Sequence, residues 1–146
     1  GLLLALPFGL MAVTLTGPQI KNGALVIPKS AISAKASYFA FTLDGLKMEV
    51  FAVKASDGTI RTAFNTCQVC YNSGRGWFVQ EGNDMVCQNC HNRFNVDRIE
   101  LGRNGCNPIP IAKQQKTETS DTITISATVL LSAKQYFIRW NRGGKS

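Results

Sequence analysis

Cys67-Gln68-Val69-Cys70 and Cys87-Gln88-Asn89-Cys90 are two Cys-x-x-Cys hooks separated by 16 residues, and Cys106 follows close behind. Two residues between cysteines let both sulfurs of a tight turn face one ion. The segment between the hooks is long enough to return as a hairpin. This is the spacing of tetrahedral thiolate sites, and it is a strong signal for a metal held by Cys67, Cys70, Cys87 and Cys90. All five cysteines fall in a 40-residue window of a 146-residue chain, so the rest of the sequence is expected to hold that window in place.

Outward from the hooks the pattern is β. Ala24-Leu25-Val26-Ile27-Pro28 is a short apolar run ended by proline. Ser37 to Leu43 is aromatic-rich and ends at Asp44-Gly45, a hairpin signal; Lys47 to Lys54 follows, then Asp57-Gly58 and Thr59 to Phe64. Two strand–turn–strand units thus run into Cys67. Trp77 to Gln80 reads as a short strand between turn-rich stretches, with Trp77 and Phe78 roofing the site. Asn104 to Ile111 is stiff and non-helical, because Pro108 and Pro110 fix φ and remove donors. Lys113 to Asp121 reads as an exposed linker, Thr122 to Leu131 as a strand, and Gln135 to Trp140 as another. The one helical candidate, Ser30 to Ala36, is short. A faint echo relates Leu25-Val26-Ile27 and Tyr38-Phe39 to Ile123-Thr124-Ile125 and Tyr136-Phe137 at a common offset of 98 residues. The fold class is mostly β, a sandwich or curved antiparallel sheet with an inserted Cys-x-x-Cys knuckle.

A hydrophobic content of 45% and a charged content of 17% exclude a disordered chain. One domain is the prior at this length: residues 17–140 as a single β domain with a metal-binding insertion over 65–111, and 141–146 as a basic tail. Sixteen Lys and Arg against nine Asp and Glu give +7, but the positive charges are scattered. No contiguous basic face is legible and no nucleic-acid partner is expected. Residues 1–16 are an apolar N-terminal anchor or docking segment. The run from Leu2 to Val13 is shorter than the roughly 20 residues that span a bilayer. It reads as the tail of a membrane anchor, the remnant of an export signal, or a strand that packs on protein, a second copy in a homo-oligomer or filament included.

Soft thiolates select iron, copper(I) or zinc, and an iron–sulfur cluster is open to them. Disulfides are the rival use of cysteines in an exported chain, although five leave one over. Cys87-Gln88-Asn89-Cys90-His91 also matches Cys-x-x-Cys-His, the haem c attachment pattern, with His91, the chain's one histidine, as an axial ligand. Cys106 and Met85 are further candidate ligands, Cys106 because Gly105 and Asn107-Pro108 fix it near the site, Met85 because thioether sulfur suits copper. No enzyme is expected: one histidine inside a cysteine cluster supports no Ser-His-Asp set, and Glu81, Asp84, Asp97 and Glu100 read as turn formers and ion-pair partners.

Asp57-Gly58-Thr59-Ile60-Arg61-Thr62-Ala63-Phe64, Cys67-x-x-Cys70-Tyr71, Gly76, Glu81-Gly82, Val86-Cys87-x-Asn89-Cys90, Arg93-Phe94 and Gly105-Cys106-Asn107-Pro108 together resemble the FtrD-like family, a domain of unknown function described as a membrane iron–sulfur protein. The resemblance runs from about Ile27 to Phe137. It implies a bacterial or archaeal envelope protein, extracytoplasmic and membrane-associated, linked to iron or copper uptake, with Cys67, Cys70, Cys87 and Cys90 as ligands and Cys106 in the Gly-Cys-Asn-Pro motif. The family usually carries Gly or another non-His residue where this chain has His91, so His91 either adds a ligand or marks a haem protein. The expected role is electron transfer or metal handling with a membrane or membrane-protein partner. The alternatives are a metal-stapled structural subunit docked through residues 1–16, and a monohaem cytochrome.

Overall fold

The computed structural model describes residues 12–103 and 105–143; most of the apolar N-terminal run lies outside them. The described residues form twelve strands in three antiparallel sheets. In chain order these are β1 (Leu15–Thr16), β2 (Ile20–Lys21), β3 (Ala24–Pro28), β4 (Ser37–Leu43), β5 (Leu46–Lys54), β6 (Ile60–Cys67), β7 (Phe78–Glu81), β8 (Asp84–Cys87), β9 (Arg93–Asn95), β10 (Pro108–Pro110), β11 (Thr117–Glu118) and β12 (Thr122–Ser126). One α-helix, α1 (Ala127–Ser132), follows β12.

The central sheet has the order β1-β4-β5-β6-β10. Its β4–β5 hairpin closes directly at Leu43↔Leu46. Asp44 and Gly45 both take positive φ, 49° and 79°, the geometry of a two-residue turn whose twist matches that of the strands. β5 and β6 are buried almost end to end, because this sheet is covered on both faces. Met48, Val50, Ala52 and Phe64 point to one side, where Leu25 and Ile27 of β3 and Ile123 and Ile125 of β12 complete the main core. Phe51, Val53, Ala63 and Cys67 point to the other side, where Phe78, Met85, Cys87 and Phe94 of the β7-β8-β9 sheet meet them. The alternation along β5 and β6 therefore sorts apolar bulk to one core and Cys67 to the other.

The two segments of the faint echo's first half are strands that pair with each other. Ile123 pairs with Ile27 and Ile125 with Leu25 across the β12–β3 ladder. The second half differs, since Tyr38-Phe39 lie in β4 while Tyr136-Phe137 lie in a 3-10 turn, Lys134–Phe137.

Four local expectations are corrected. Ser30 to Ala36 is no helix beyond the 3-10 turn Lys29–Ala31. The strand beginning at Thr122 stops at Ser126, whose hydroxyl accepts from Val129 N at 3.3 Å and starts α1; an N-cap outweighs the β-branched composition that suggested a continuous strand. Gln135 to Trp140 is not a strand, because Phe137 turns into the main core and Trp140 packs on it edge-on at 5.4 Å. Lys113 to Asp121 is not a plain linker: it holds the 3-10 turn Lys113–Gln115, strand β11 and the almost fully buried Lys116 side chain.

Asp97 ties the β5–β6 turn to the segment after β9. Its carboxylate accepts from Ser56 N at 2.7 Å and Ser56 Oγ at 2.6 Å, and these two bonds hold its carboxyl below the usual carboxylate range. A lowered pKa means the clasp contributes in full above the ordinary value, about 4, and is lost as pH falls through the lowered one. Exchange of the Ser56 amide should therefore accelerate as pH drops below about 4, beyond the intrinsic trend, and lose that extra response in Asp97→Asn. A Ser56 amide equally protected in both proteins would refute it.

Candidate metal centre

Cys67 ends β6, and its neighbours Val69 and Cys70 turn back so that both amides donate to its sulfur, at 3.4 and 3.2 Å. Cys87 ends β8 in the same way, with the amides of Asn89 and Cys90 hydrogen-bonded to its sulfur. The two hooks are thus near-equivalent knuckles, each with a buried first cysteine, Cys67 and Cys87, whose sulfur is cradled by backbone N–H groups. Such donors favour the thiolate that a metal requires. The chain leaves the second knuckle through His91 at φ 63°, where its amide bonds Cys87 O at 2.8 Å. That left-handed conformation favours glycine. The His91 side chain is exposed.

Cys106 arrives from the other direction. β10 pairs with β6, placing Pro108 opposite Cys67 with a bulge beyond it. Gln68 N donates to Asn107 O at 3.1 Å, and Asn92 Nδ2 donates to Cys106 O at 2.9 Å. One sheet edge and the second knuckle together fix this thiol. The fully buried Asn107 donates to Pro108 O at 2.9 Å, while its Oδ1 has no partner.

The result is a group of four cysteines, Cys67, Cys70, Cys87 and Cys106, whose sulfurs all lie within 4.8 Å of one another. Cys106 Sγ stands 2.9 Å from Cys67 Sγ and 3.9 Å from Cys70 Sγ. Cys90, exposed, stands outside that group and touches Cys106 Sγ at 3.0 Å. All five are free thiols. Of the residues singled out from the sequence, three cysteines of the two hooks join in the compact group and Cys106 joins with them. Met85 lies in the apolar cluster beside Cys67 and Cys87, fully buried. Phe78 packs there too, while Trp77 is half-buried.

Burial raises the Cys70 thiol, and burial also pushes up Cys106. Cys87 is pushed up to about 12, first by its hydrogen bond with Cys67 and then by burial. In the metal-free protein these groups are neutral at pH 7, so metal binding must displace their protons. The donor set itself fits a soft or borderline ion. With metal–sulfur bonds of about 2.3 Å, a tetrahedral ion sets its sulfurs about 3.8 Å apart, a spacing the present group brackets.

A family model described as "Membrane iron-sulfur containing protein FtrD-like" matches residues 20–137. The chain belongs to the FtrD-like family. The match covers every described strand from β2 to β12 and all five cysteines of the FtrD-like chain. No curated protein and no solved structure matches it. Among the described residues no helix is long and apolar enough to cross a membrane.

Two supports of the centre have roles that the sequence alone did not reveal. Asn65, buried in β6, accepts from Phe78 N at 2.8 Å and donates to the buried Glu49 at 2.7 Å, joining the central sheet to β7. A lone amide in β6, beside the buried polar residues Arg61, Thr62 and Thr66, was its only trace. Gly76 is the second. A Cβ there would lie 2.9 Å from the carbonyl carbon and oxygen of Cys70 and 3.2 Å from Cys67 Cβ, so only glycine lets the chain cross behind the first knuckle. Gly76→Ala should displace Cys70 and weaken metal binding by about 10–100-fold, the range for losing an outer-shell support. Competition with a chelator of known affinity reads it, and unchanged affinity would show that the knuckle yields freely.

Proposed function

We propose that this chain is an extracytoplasmic, membrane-associated electron-transfer protein, not an enzyme, in which thiolates hold iron for a membrane uptake or respiratory partner. The observation that carries it is the mutual 4.8 Å approach of Cys67, Cys70, Cys87 and Cys106, in a chain whose family is described as iron–sulfur and membrane. Iron bound there would supply a one-electron couple. The residues would supply the rest: four thiolates to hold it, the amides of Val69, Cys70, Asn89 and Cys90 to stabilise sulfur charge, and Phe51, Phe78 and Phe94 to keep water from the inner side. Such surroundings set the potential of a thiolate iron site. The knuckle tip, with Val69 60% exposed, leaves the centre close to the surface, where a partner can approach. His91 is exposed and Cys87 lies among other thiols, which favours a thiolate centre over haem.

Anaerobic loading with iron, followed by metal, labile-sulfide and absorption analysis, tests the proposal. Thiolate-to-iron charge transfer that bleaches and returns through a reduction cycle supports it, and labile sulfide separates a cluster from a single ion. A colourless, redox-silent protein that retains zinc would refute electron transfer and support the structural role. A Soret band would establish haem.

A further inference from the structure

Four thiols complete a tetrahedral thiolate site, yet five sulfurs converge here. The two knuckles show which one is in excess. In the first, the second cysteine, Cys70, belongs to the compact group; in the second, its counterpart Cys90 does not, and Cys106 stands in the group instead. Cys90 is exposed, Cys106 is partly buried, and their sulfurs are 3.0 Å apart. Cys106 is tied by its own carbonyl to Asn92 and by its neighbours to Gln68 and to β6. Cys90 is a second claimant to the same fourth position, on the solvent side.

We propose that Cys90 is an exchange thiol: it captures an incoming thiophilic metal ion at the surface and passes it to Cys106, which closes the buried site. This rests on the thiolate-centre reading and adds how the centre is filled and emptied. Accessible thiols react with metals faster than buried ones, and the inner sulfurs offer an arriving ion no comparably exposed contact. In the exchange the bond from Cys90 Sγ to the ion breaks as the bond from Cys106 Sγ forms. The proton leaving Cys106 goes to Cys90 or to water, and no electrons are transferred. Run backwards, the same step presents the ion to an external thiol or chelator.

Co(II), added alone under anaerobic conditions, reports the step through its thiolate charge-transfer absorption. Wild-type protein should take up one Co(II) per chain. Cys90→Ser should reach the same stoichiometry and final spectrum but load several-fold more slowly, and release Co(II) to excess chelator more slowly. Cys106→Ser should load as quickly as wild type and lose its Co(II) to chelator several-fold faster. If Cys90→Ser lowers the stoichiometry or changes the final spectrum, Cys90 is a permanent ligand and the proposal is overturned. Unchanged rates in Cys90→Ser overturn it equally. Wild-type protein that takes up no Co(II) and no iron fails the thiolate-centre reading itself, a result distinct from either. Circular dichroism of each variant before loading separates these outcomes from misfolding.

Discussion

Cys87→Ser should leave a folded protein that retains almost no bound metal. Cys87 is fully buried in the apolar cluster that includes Cys67, Phe78 and Phe94. A serine there replaces a soft anionic ligand with a hard neutral hydroxyl. The knuckle amides of Asn89 and Cys90, which now serve its sulfur, would serve no thiolate. Loss of an outer-shell partner alone weakens metal sites by about 10–100-fold, so loss of this ligand should exceed about 100-fold. The fold should persist because the main core, built from β3, β4, β5, β12 and the C-terminal turn, is a separate cluster on the opposite face of the central sheet. Metal analysis after desalting against a weak chelator measures the loss, and near-ultraviolet dichroism checks the core. Retention of a full equivalent of metal would remove Cys87 from the ligand set.

The sequence made the strands legible where side-chain period and turn chemistry agree. Alternation in Ser37 to Lys54, broken by Asp44-Gly45, marks the β4–β5 hairpin because both turn residues tolerate positive φ. It failed after Ser126. There Val, Leu, Tyr and Phe suggest strands by propensity, but tertiary packing of Phe137 and Trp140 against the core decides a helix and a 3-10 turn instead. The centre was half legible for a similar reason. Spacing within a hook is local and can be read directly. That Cys106 joins the compact group depends on β10 pairing with β6, a contact between residues some 40 positions apart that no local pattern encodes. The Gly-Cys-Asn-Pro segment signalled rigidity near the site, and the register of Pro108 against Cys67 gives that rigidity its direction.

Lys116→Met is expected to cost about 3–5 kcal/mol, because it leaves a buried carboxylate without its cation. The Lys116 side chain is 2% exposed and that of Glu100 is 10% exposed, and the two form an ion pair. Lys116 Nζ also donates to Thr62 Oγ1 at 2.8 Å, and Glu100 accepts from Thr62 N at 2.7 Å. The pair forms part of the wall of a cleft of about 600 Å³ whose rim carries Lys29, Lys54, Arg61 and Lys113. Glu100 is held at φ 74°, a conformation unfavourable for a residue with a side chain. That geometry is kept by its bonds to Thr62 on β6, five residues before Cys67, at the start of the loop that leads to Cys106. Removing the cation should therefore act twice, lowering overall stability in urea and loosening the Cys106 side of the centre. Lys116→Met combined with Glu100→Gln should recover most of the stability, since the neutral amide can still accept from Thr62 while no charge remains buried. Recovery of stability without recovery of metal affinity would show that the charged pair itself sets the Cys106 loop. If the single variant costs less than about 1 kcal/mol, the ion pair does not hold the loop.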